Sequence, residues 1–168
     1  MDKIKIKAGD WVVVCDGRKA LLLENIGDEV FLSLHTKEIH EHPQTRTSAQ
    51  GSDAPGRVHQ SLGPARSAVE QTDWHDQEER AFLTGLASRL QVALRKGETR
   101  ALIMVAAPRA LGMLREVYSP AVRKAIRAEV AKDLVKLPVH EIEKHLLSPH
   151  AVTRGARMRR QRSASSLM

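Results

Sequence analysis

Seven consecutive residues, Ala101-Leu102-Ile103-Met104-Val105-Ala106-Ala107, carry no polar side chain. Successive side chains of a strand point to opposite faces, so a strand with one wet face alternates apolar and polar residues. A short run without alternation predicts a strand covered on both faces. Pro108 follows at once, and its fixed φ and missing N–H suit the first turn of a helix, here Arg109 to Val117. A buried strand that passes directly into a helix needs a sheet with helices packed on it, which is an α/β fold.

The segment before it supplies the rest of the sheet. Trp11-Val12-Val13-Val14-Cys15 is β-branched and apolar, Asp16-Gly17 is a turn signal, and residues 19–25 read as the hairpin partner. Gly27-Asp28 marks another turn, and residues 30–36 alternate as a half-buried third strand should. The expected start is an antiparallel meander within a mixed sheet. Residues 40–71, with Pro43, Gly51, Pro55, Gly56, Gly63 and Pro64, read as a long loop. Thr72-Asp73 can cap a helix beginning at Trp74, in which Phe82, Leu86 and Leu90 line one face and Gly97 gives the stop. Later, Ser119-Pro120 starts a short helix, the alternation of Ile126, Ala128 and Val130 with Arg127, Glu129 and Lys132 favours a strand with its charged residues towards solvent, and residues 138–147 read as a final helix.

Charge is unevenly placed. The net charge of the 168-residue chain is +7, and residues 151–168 hold five arginines and no acid, which leaves +2 on the rest. Residues 1–150 are expected to form one domain, and 151–168 a disordered basic tail able to attract RNA or another anionic surface. Aromatics are only 3% of the chain, so the core must rest on Leu, Val, Ile and Ala. The single cysteine, Cys15, has no partner for an internal disulfide and reads as a small buried hydrophobe. The lysine-rich start lacks the apolar stretch of a signal peptide, and no run is long enough to span a bilayer. A cytoplasmic location is the expectation.

Chemical motifs are sparse. His140 and His145 are five apart, which separates them around a helix instead of placing both on one metal, and Glu141 is expected to pair with His145. Neither GxxxxGK[ST] nor GxGxxG occurs, and no cofactor is implied. Ala107-Pro108-Arg109 sits where a strand enters a helix, so backbone N–H groups and the Arg109 guanidinium can hold a phosphate or simply form a tight turn. A carboxylate nuclease centre would need Asp10, Asp16 and Asp73 to converge. Arg18, Arg57 and Arg66, with Glu70, Asp73 and His75, form either an ion-pair network fastening the loop or a surface for phosphate or RNA.

Several segments together resemble the bacterial family described as proteins required for attachment to host cells. They are Asp10-Trp11-Val12-Val13-Val14 with Asp16-Gly17-Arg18-Lys19-Ala20, then Pro55-Gly56-Arg57-Val58, and Ser67-Ala68-Val69-Glu70-Gln71-Thr72-Asp73-Trp74-His75. Later come Val105-Ala106-Ala107-Pro108-Arg109-Ala110-Leu111-Gly112-Met113-Leu114-Arg115, and Lys132-Asp133-Leu134 with Glu141. The match covers about residues 9–147. That family is similar in turn, by element order, to the middle domain of archaeal and eukaryotic class-I peptide-chain release factors. The likeness implies an RNase H-like arrangement and a Gly-Gly-Gln loop before the long helix. Here Gly56-Arg57-Val58-His59-Gln60-Ser61 occupies that place, with Gln60 present and Val58 and His59 where the two glycines would be. A β-branched valine resists backbone conformations that glycine permits.

The resemblance implies a part in attachment, and without an export signal that part is indirect. The first reading is a non-enzymatic binding module with a surface made of Arg18, Gly56, Arg57, Ser61, Arg66, Glu70, Asp73, His75 and Arg109. Its partner would be RNA, the ribosome or another protein. The alternative is a release-factor-like peptidyl-tRNA hydrolase using Gln60, or a phosphoester hydrolase using acids near the loop.

Overall fold

The computed structural model describes residues 3–42 and 64–148, with side chains in the second stretch from Thr72 onward. The elements are β1 (Trp11–Cys15), β2 (Lys19–Asn25), β3 (Leu34–Glu41), α1 (Pro64–Lys96), β4 (Leu102–Ala106), α2 (Pro108–Val117), α3 (Pro120–Ala125), β5 (Ile126–Ala131) and α4 (Val139–Leu147). They build a mixed α/β sheet of order β3-β2-β1-β4-β5. β1, β2 and β3 pair antiparallel, while β4 lies parallel between β1 and β5. The apolar run is thus an inner strand, with all five residues of β4 buried.

The period-two rule sorts the sheet's side chains between two cores. Trp11, Val13, Cys15, Leu22, Leu102 and Met104 face α1, α2 and α3, against Leu83, Leu86, Leu90, Leu111, Leu114 and Val122. Val12, Val14, Leu23, Ile103 and Val105 face the other way, against Ile6, Leu134, Ile142 and Leu146. α1 ends as expected. Gly97 takes the left-handed backbone (φ 74°), its N–H donates to the Leu94 carbonyl at 3.2 Å, and the Glu98 N–H donates to that of Ala93 at 2.9 Å.

Two boundaries and one burial differ from what the sequence predicts. The third strand starts at Leu34, not at residue 30, and runs to Glu41. Asn25 and Asp28 take the intervening backbone: Asp28 Oδ1 accepts from Val30 and Phe31 N–H at 2.8 and 2.7 Å, and Asn25 Oδ1 from Gly27 and Ser33 N–H at 2.9 and 3.1 Å. Such side-chain capture of backbone donors competes with a ladder. Second, α1 begins at Pro64 and not at Trp74, so Thr72-Asp73 is not a cap. Pro64 fits a first helical turn, and no glycine or proline interrupts residues 65–84. The expected loop over 40–71 therefore yields residues at both ends to β3 and α1. Third, Glu129 is buried, not turned to solvent, and accepts from Arg115 Nη2 and Nε at 2.6 and 2.8 Å. The tail 151–168 lies outside the described residues.

Candidate functional site

In open sheets with parallel strands, ligands meet the carboxyl ends of the strands. Here β1, β4 and β5 end together, and α1 passes over that edge. Asp16 closes β1 by accepting from the Arg18 and Lys19 N–H groups, both at 2.8 Å. Gly17 leaves room for α1: a Cβ there would lie 2.7 Å from Glu79 Cγ and Cδ. The end of β3 is tied to the same turn, with His42 N–H donating to the Arg18 carbonyl at 2.7 Å. His42 also meets Phe82 edge to face, with ring centroids 6.3 Å apart.

Arg109 opens α2 at the end of β4. Its guanidinium donates to Asp76, and its Nε lies 3.6 Å from Glu79 Oε2. A phosphate would have to compete with both carboxylates for this cation. Arg80 and Glu116 form a further exposed tie between α1 and α2, at 2.7 Å. Arg109, read from the sequence as a phosphate ligand or part of a tight turn, is thus committed to two carboxylates of α1.

Cys15 lies under this edge and is fully buried. Burial, then the charges of Asp16 and Asp133, push its thiol up to about 12. It stays a thiol at neutral pH, and the thiolate is the nucleophile. Asp10 and Asp16 cannot converge: Asp10 is at the opposite end of β1, buried, accepting from the Lys7 N–H at 2.8 Å and bound to Arg127. Among the described residues, no group of three or more His, Cys, Asp or Glu side chains is arranged to hold a metal ion. In α4, Glu141 meets Lys144 at 3.2 Å and His140 at 3.5 Å.

The remaining feature is α1 itself. Its 33 residues extend for roughly 50 Å at 1.5 Å per residue. Among its described side chains, Leu83, Leu86, Ala87, Leu90 and Ala93 are buried. From residue 72 to residue 81 none is buried, and Thr72, Asp73, Trp74 and His75 are exposed, Trp74 by 60%. Glu79 sits level with the β1–β2 turn, so the helix continues about 20 Å beyond it towards Pro64. Residues 72–81 carry four carboxylates against Arg80.

Arg18 and Arg109 thus lie at one edge of the sheet, and Asp73 and His75 on the stretch of α1 that leads to it. Arg66 and Glu70 belong to α1, but their side chains lie outside the described residues. So do Gly56, Arg57, Gln60 and Ser61 altogether. Sequence reasoning missed Glu79, Asp76 and Trp74 as members of this edge. The Trp74 signal was present: an aromatic off the apolar face in a chain with two tryptophans. A family model described as "Protein required for attachment to host cells" matches residues 11–146. No curated protein gives a match.

Proposed function

The chain belongs to the family of proteins required for attachment to host cells, and from that premise we propose a non-enzymatic binding module that acts in attachment indirectly, from the cytoplasm. The partner is a component of the translation machinery, held along the carboxyl edge of the sheet and the overhanging half of α1. One observation carries the reading. α1 continues past the core it covers, and over residues 72–81 exposes Trp74, Asp73 and His75 while burying nothing. Exposed aromatic residues on a rigid element are common anchors of interfaces. The absence of an activated nucleophile at Cys15 also favours binding over covalent chemistry.

Charge divides the labour within this reading. The acids of residues 72–81 repel phosphate, so this stretch suits a basic protein surface. Arg57, Arg66 and the five arginines of residues 151–168 suit RNA. The test is co-sedimentation of the full chain with purified ribosomes. Trp74→Ala should weaken the association at all salt concentrations, and removal of residues 151–168 should chiefly flatten its salt dependence. Association indifferent to both changes would refute the reading.

A further inference from the structure

At the opposite end of the sheet, the β2–β3 hairpin tip turns large apolar side chains to solvent: Ile26 is 60% exposed, Val30 74% and Phe31 76%. Phe31 is one of only two phenylalanines in the chain. The tip is densely hydrogen-bonded. Besides the bonds from Asn25 and Asp28 described above, Asp28 N–H donates to the Phe31 carbonyl at 3.0 Å and Ile26 N–H to that of Ser33 at 2.9 Å. Asn25 Nδ2 donates to the carbonyls of Ile6, Lys7 and Asp28. Gly27 admits no side chain, because a Cβ there would collide with the Phe31 carbonyl oxygen. The N–H groups of residues 26, 27, 28, 30, 31 and 33 are all bonded internally. Such a tip can enter a poorly hydrated medium without stranding those donors.

The charge beside it is mostly positive. The Asn25 bonds join Ile6 and Lys7 to the tip, and the segment leading into them exposes Lys3, Lys5 and Lys7, with the Lys5 carbonyl accepting from Arg127 Nη1 at 3.1 Å. Two acids share the tip. Asp28 uses its carboxylate inside the turn, and Glu29 lies 3.8 Å from Lys7 Nζ.

We propose that this tip, with Ile26, Val30 and Phe31 as the apolar wedge and Lys3, Lys5 and Lys7 beside it, docks on the surface of an anionic phospholipid bilayer. Apolar side chains at the headgroup boundary with lysines facing anionic lipid are the two components of peripheral membrane binding. A bilayer accepts exposed apolar side chains without a matching pocket, which a protein partner would have to supply. No helix among the described residues is long and apolar enough to cross a membrane, so the proposal concerns surface docking. It uses the end of the molecule remote from α1's overhang and does not depend on the translation partner.

The test is partition of the full chain onto vesicles of equal parts phosphatidylserine and phosphatidylcholine, against vesicles of phosphatidylcholine alone. Binding should require phosphatidylserine and weaken with salt. Val30→Ser with Phe31→Ser should lower the partition by about tenfold or more, from the apolar area withdrawn. Phe31→Leu, which keeps an apolar side chain, should retain most of it. Melting temperatures of all variants should stay near that of the parent, since these side chains are exposed. In a chain lacking residues 151–168, the same double substitution should cause the same loss. Absence of binding to anionic vesicles at low salt would overturn the proposal and leave a protein pocket as the occupant. Unchanged partition in the double variant, or binding abolished by tail removal alone, would overturn it too.

Discussion

The two halves of α1 share one helix and differ in what holds them. Residues 83–93 contribute five buried side chains beneath the sheet. Residues 72–81 contribute none, and connect to the body through exposed ion pairs: Arg109 with Asp76 and Glu79, and Arg80 with Glu116. Burial of apolar area stabilises by about 25 cal/mol per Å², whereas exposed ion pairs contribute roughly 0–1 kcal/mol. The first half exists because the core needs it. Residues 72–81 add nothing to the core, which is the ground for the recognition role proposed above.

The sharpest way to break this contrast is to truncate one buried and one exposed side chain of the same helix. Leu90→Ala removes a fully buried side chain and should cost about 3 kcal/mol in denaturant unfolding. Trp74→Ala should change stability by no more than about 0.5 kcal/mol. Comparable losses at both sites would show that the overhang is packed.

A second pair compares arginines at the two ends of α2. Arg115 neutralises Glu129, whose side chain is only 6% exposed. Arg115→Ala strands that carboxylate and should cost about 2 kcal/mol, discounted because Arg115 itself is half exposed. Arg109→Ala leaves two carboxylates that water can reach, and should cost at most about 1 kcal/mol. Equal costs would mean that the edge pairs are structural to the same degree as the pair under the sheet.

A smaller effect is expected from pH. Hydrogen bonds from Arg89 hold the Glu38 carboxyl below its ordinary value of 4.5, with burial opposing and His40 adding. A carboxyl lowered by folding stabilises the fold above its unfolded value, and that contribution is lost as pH falls through the folded one. The melting-temperature gap between the parent and Glu38→Gln should be present at neutral pH and close as pH drops below 4.5. A gap that widens on acidification would reverse the assigned sign. A still smaller effect belongs to Gly17→Ala, which must push the flexible end of Glu79 aside and so loosen its contact with Arg109, with little change in melting.

Much of the sheet was legible because its strands state their burial directly. β1 and β4 are continuous apolar runs, and both are inner strands buried on both faces. β3 was misplaced because it is an edge strand of polar residues, Leu-His-Thr-Lys-Glu-Ile-His-Glu, with a bulge in its pairing to β2. The more apolar residues 30–32 look more strand-like, yet Asp28 holds them in a turn. The start of α1 was missed for a related reason. Proline and glycine before residue 65 imitate loop punctuation, while Pro64 opens the helix. Glu129 was read as solvent-facing, and its partner Arg115 lies 14 residues away. Periodicity does not reveal a partner on another element. For the candidate site the sequence offers Arg18, Asp73, His75 and Arg109 one by one but not their positions in the fold, since contacts such as Glu79 on Gly17 are long-range.

The central claim, that the overhanging half of α1 is a recognition element, is tested most directly in cells. A strain lacking this gene is complemented with the parent chain or with Trp74→Ala plus His75→Ala, and attachment to host cells is counted. The account predicts that the variant accumulates to the parent level, melts at the parent temperature, and fails to restore attachment. Full restoration by a stably folded variant would contradict it.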